Sequence, residues 1–93
     1  MRINLIFDEN SSLWEKDFEY NKLLVKTQLM YIKDCYKATG YIYLNRIYEL
    51  LKLNWNPYEQ NSCWIYERDG ELEITITTKD NSPDKIWIDI SND

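Results

Sequence analysis

Histidine is absent from this 93-residue chain, and glycine occurs only as Gly40 and Gly70. The first absence removes His-based acid catalysis and His-liganded zinc, and the second removes the glycine-rich loops that cradle phosphate. Two cysteines, Cys35 and Cys63, are too few for a disulfide scaffold and fall at apolar positions, so inert core thiols are expected. No signal-peptide pattern opens the chain, and no apolar run approaches the ~20 residues that span a bilayer. The expectation is a soluble, cytoplasmic, single domain covering residues 1–93, without cofactor or metal.

What the chain does have is charge and aromatic rings. Sixteen Asp and Glu against eleven Lys and Arg give −5, and 44% apolar residues keep it in the globular range. Eight Tyr, four Trp and two Phe supply large contact areas at low entropic cost, which suits a small core and a binding face equally.

Residues 2–7 alternate Ile3, Leu5 and Phe7 with polar neighbours and predict a strand with one buried face. Ser12 and Glu15 stand in capping-box spacing, which predicts a helix from there to a stop at Gly40, with Trp14, Phe18, Val25, Leu29, Ile32 and Tyr36 on its inner stripe. Its polar arc carries Lys22, Lys26, Lys33 and Lys37, read as a solvated face because so few lysines on an acidic chain make a poor phosphate stripe. Residues 41–43 read as extended, a short helix follows to Lys52, and 54–62 forms a loop. Asp69-Gly70 is the dipeptide favoured in type I′ hairpins and predicts strands 63–68 and 71–78 paired about it; a turn at 79–84 then leads to a last strand, 85–90. The order β-α-α-β-β-β predicts an α+β, two-layer sandwich, its sheet mainly antiparallel and its helices on one face.

Counting outward from Asp69-Gly70 puts Trp64 and Tyr66 on the sheet face away from the helices, together with Trp87 of the last strand. The loop 54–62 could instead cover that face. Residues 59–93 carry nine acidic side chains against three basic ones, enough to steer that region towards a basic partner. The candidate partner-binding set is therefore Trp64, Tyr66, Glu71, Glu73, Asp84, Trp87 and Asp89. Paired acids such as Glu71 and Glu73 invite a glycosidase or metal reading, but alternation along a strand is the ordinary solvent face, and no catalytic residue is assigned.

The stretch from Gly40 to Asp69, with Gly40-Tyr41-Ile42-Tyr43-Leu44-Asn45-Arg46-Ile47-Tyr48-Glu49-Leu50-Leu51 followed by Trp64-Ile65-Tyr66, resembles small uncharacterised proteins of Gram-positive phages and integrative elements. Those share a G-[HY]-[VI]-[FY]-L-N-x-[VI]-Y segment and then G-W-[VI]-Y, and the likeness covers about a third of the chain. The resemblance implies a mobile-element setting in a bacterial cell. In that setting a compact acidic domain without catalytic groups is expected to be an anti-CRISPR-like accessory inhibitor. It would bind a host protein such as a nucleic-acid-binding enzyme, and neither nucleic acid nor membrane directly. The alternative is a self-associating or small-ligand-binding module that uses the aromatic face, as monomer or homodimer.

Overall fold

A computed structural model describes residues 2–54 and 62–92. The chain is an α+β fold of helices layered on antiparallel strands. In order, the elements are β1 (Arg2–Asp8), α1 (Phe18–Thr39), β2 (Tyr41–Tyr43), α2 (Leu44–Leu50), β3 (Cys63–Ile65), α3 (Tyr66–Asp69), β4 (Glu73–Lys79) and β5 (Ser82–Ser91). The main sheet has the order β1-β5-β4, both pairings antiparallel, so the N-terminal strand joins the sheet beside the C-terminal one. A separate two-stranded ribbon pairs β2 with β3.

The period-2 and period-3.6 stripes meet in one core. Leu5 and Phe7 of β1 and Ile86, Ile88 and Ile90 of β5 face Val25, Leu29, Ile32 and Tyr36 of α1. The ribbon adds Ile42 and Trp64, which oppose each other across its two strands, and α2 adds Leu44 and Ile47. Gly40 ends α1 in the left-handed region at φ 85°, its N–H donating to the Tyr36 carbonyl.

Two expectations are corrected. The helix begins at Phe18, not after Ser12. Asp17 is the cap, its side chain accepting from the Tyr20 N–H, while Ser11 and Asn21 hold the preceding hook. Ser11 Oγ donates to the Leu51 carbonyl at 2.7 Å, and the buried Asn21 amide clamps both backbone groups of Glu15, at 2.9 and 2.8 Å. Trp14 thus folds back against Phe7, ring centroids 5.5 Å apart, and ties β1 to the start of α1.

The hairpin at Asp69-Gly70 does not form either. A type I′ turn needs positive φ at both central residues, and only Gly70 has it, at φ 73°. Asp69 instead ends the single helical turn α3. Its carboxylate accepts from the Ile65 N–H at 2.8 Å and from the Arg68 guanidinium, which holds Asp69 below the ordinary carboxylate range. The true hairpin joins β4 to β5 through Asp80 and Asn81, with Lys79 opposite Ser82. Neither turn residue has positive φ, and the ladder absorbs the mismatch by setting residues 83–86 of β5 against Thr78 alone.

A candidate protein-binding face

The side of the main sheet turned away from α1 is built in cross-strand rows. Arg2, Ser91 and Glu73 form one; Asn4, Asp89 and Thr75 the next; then Ile6, Trp87 and Thr77. Because facing residues of an antiparallel ladder share a side, the three buried isoleucines of β5 send Trp87 and Asp89 outward. Asn4, Thr75 and Thr77 are exposed, and Ile6, 45% exposed, stands beside the half-buried Trp87. Lys79 Nζ sits 4.6 Å above the Trp87 ring, a cation over a π face. Arg2 Nε donates to both Asp89 oxygens at 3.1 and 3.0 Å, and this bond holds the Asp89 carboxyl below its ordinary range. Between these groups lies an open depression of about 350 Å³.

Only three of the seven expected contact residues are on this face: Glu73, Trp87 and Asp89. Trp64 is not exposed at all. Its position opposite Ile42 in the ribbon turns it into the core, where no partner can reach it without unfolding the domain. Asp84 lies on the helix side of the sheet, beside Trp14, Phe18 and Asn21.

Tyr66 and Glu71 belong to a third place, the C-terminal end of α1. The Tyr66 hydroxyl donates to Glu71 Oε1 at 2.8 Å and Lys37 Nζ reaches the same oxygen at 3.2 Å, which together hold the Glu71 carboxyl below its ordinary range. Tyr36 packs against the Tyr66 ring at 5.5 Å and donates to the Gly70 carbonyl at 2.6 Å. Burial, with the Asp69 charge next, raises the Tyr36 pKa. Every polar member is paired to another, so the cluster fastens the 66–72 crossing to α1.

Sequence reasoning missed Ile6 and the outer side of the ribbon. Tyr41 and Tyr43 are 52% and 48% exposed and meet edge to face at 5.8 Å, flanking a hollow of about 330 Å³ with Cys35, Thr39, Arg46 and Leu50. The Tyr-Ile-Tyr alternation carried that signal. The two segments quoted for the resemblance comprise the Gly40 cap, β2 and α2, then Trp64 and Ile65 of β3 with Tyr66 at the start of α3. Loop 54–62 falls largely outside the described residues.

By register, Arg2, Lys79 and Lys85 offset Asp8, Glu73 and Asp89, so the outer face is charge-balanced. Among the described residues no group of three His, Cys, Asp or Glu side chains converges as metal ligands do, and no helix is long and apolar enough to cross a membrane. The chain matches no protein-family model, no curated protein and no solved structure.

Proposed function

We propose that this protein is a binding module that acts without catalysis and docks a protein partner on the outer face of the main sheet. The observation that carries the reading is the Ile6–Trp87 pair, an apolar centre framed by Asn4, Thr77 and Lys79 and left open to solvent. An aromatic anchor inside a polar rim is the composition of interface centres. In the setting implied by the resemblance, the partner is a host protein and the consequence of binding is its inhibition, with a nucleic-acid-binding enzyme as the first class to examine. Because the charges on the face cancel, attraction to a basic groove is weak, and affinity rests on the desolvated centre.

The test is a pull-down from nuclease-treated and untreated halves of a bacterial lysate with the parent, Ile6→Glu and Lys26→Glu. Ile6 is exposed, so its substitution spares the core, while Lys26 lies on the far side of the molecule on α1. A partner held by the parent and the Lys26 variant but lost by Ile6→Glu supports the face. A partner held equally by all three places the site elsewhere, and a captured species that vanishes with nuclease makes the ligand nucleic acid.

A further inference from the structure

We infer that β4 is the interface of a homodimer in which two copies pair their β4 strands antiparallel, centred on Ile76, to make one six-stranded sheet. The inference is separate from the binding reading above and stands whether or not the outer face has a partner.

The two edges of the main sheet differ. Along β1, Tyr48, Leu53 and Asn54 lie beside Asn4, Ile6 and Asp8. Along β4, no described strand lies on the side away from β5, and none of the turn, loop or cap hydrogen bonds among the described residues engages 73–79. Seven residues at about 3.4 Å each leave an edge some 24 Å long whose outward N–H and C=O groups are ready to pair. Proteins usually blunt such an edge with proline, inward charges or bulges. The sequence of β4, Glu-Ile-Thr-Ile-Thr-Thr-Lys, has no proline and no inward charge. The irregularity at its end places the surplus residues on β5.

What fits this edge is β4 itself. A two-fold axis perpendicular to the sheet keeps outer faces together, so facing residues must share a side. Only registers centred on a residue satisfy that condition. Of these, the one centred on Ile76 aligns all seven residues, with Ile76 meeting Ile76, Thr75 meeting Thr77 and Glu73 meeting Lys79. The last pair occurs twice, once at each end, and both members lie on the outer face, where Lys79 is held over Trp87. A shift of two residues to either side leaves one charge facing threonine and the other overhanging. Opposite charges directly across a ladder stabilise it and like charges destabilise it, so the strand encodes its own register. Because the outer face is charge-balanced, it adds no local repulsion to that between the two net-acidic chains.

The experiment is sedimentation equilibrium over a concentration series at low salt for the parent, Glu73→Lys, Lys79→Glu and the double variant E73K/K79E, each checked by circular dichroism. The parent should dimerise. Each single reversal places like charges opposite at both ends and should weaken dimerisation about tenfold or more. The double variant restores opposite charges and should return to within about threefold of the parent. A parent that stays monomeric throughout, single reversals without effect, or a double variant weaker than either single one would each overturn the pairing. Should a reversal disturb folding, amide exchange of residues 73–79 in the parent keeps the test open: protection that rises with protein concentration supports the dimer, and protection independent of it refutes it.

Discussion

Trp64→Ala separates a core tryptophan from a contact tryptophan. The side chain is fully buried opposite Ile42, and its Nε1 finds no hydrogen-bond partner among the described residues. Truncating a buried Trp costs about 3 to 5 kcal/mol, since it loses the transfer energy and leaves a cavity that neighbours fill only in part. At roughly 0.05 to 0.15 kcal/mol per residue the whole domain holds about 5 to 14 kcal/mol, so this one change removes a large share. At about 4 to 8 °C per kcal/mol for a domain of this size, Tm should fall by roughly 12 to 40 °C. Trp64→Phe should cost far less, because it keeps one ring and deletes an N–H whose unpaired burial carries a penalty of about 1 to 3 kcal/mol. Trp87→Ala, half-buried on the outer face, should cost about 1 kcal/mol, near half the effect of full burial of a large side chain. Urea unfolding followed by circular dichroism ranks the three variants. If Trp64→Ala lowers stability by no more than Trp87→Ala at an unchanged m-value, Trp64 is not in the core, and the ribbon register is wrong.

Three further outcomes follow from the geometry. Asn21→Ala removes both bonds to the Glu15 backbone and should cost about 1 to 3 kcal/mol in the same assay, with faster amide exchange across residues 9–17; unchanged exchange there would deny the clamp. Gly40→Ala meets no steric neighbour, as nothing lies within 4 Å of the added Cβ, so its cost should be the left-handed backbone penalty alone, about 1 to 2 kcal/mol, and Gly40→Asn should recover part of it. Asp69, Glu71 and Asp89 have folded-state pKa values depressed by Arg68, by Tyr66 with Lys37, and by Arg2 respectively. Their contribution is therefore complete above the ordinary carboxylate range and lost as pH falls through the folded values, so Tm should hold steady from neutral pH and decline below that range. Glu71→Gln should make that acid decline shallower, and an unaltered slope would show its pairing to be inconsequential.

The parts of the fold that sequence reasoning reached are those fixed by a stripe against a single core. Leu5 and Phe7, the α1 stripe from Val25 to Tyr36, and the isoleucines of β5 are legible because each period has only one buried solution. The misplaced helix start has a local cause. Ser12 and Glu15 hold capping-box spacing, but the Glu15 backbone is taken by Asn21, a polar residue in the apolar arc whose role depends on the hook it holds. The Asp69-Gly70 dipeptide failed for a similar reason, since the Asp69 carboxylate is committed to Ile65 and Arg68 four and one residues behind it, which closes a helical turn in place of a hairpin.

The candidate face was only half legible, because strand partnership decides which way a side chain points and charge counted along a chain is not charge on a surface. With β4 as its assumed partner, β3 would send Trp64 outward; with β2 as its actual partner, the same tryptophan meets Ile42 and turns inward, while Tyr41, Tyr43 and Ile65 take the exposed side. The acidic excess after residue 59 disperses in the same way. Glu71 goes to Lys37 at the end of α1, Asp84 to the helix side near Trp14, and Asp89 to Arg2, which lies 87 positions away in sequence. Those destinations depend on β1 joining β5, a non-local pairing that no window along the chain contains. The proposed binding centre therefore rests not on an acidic strand patch but on Ile6 and Trp87, two residues that become neighbours only because β1 and β5 lie side by side.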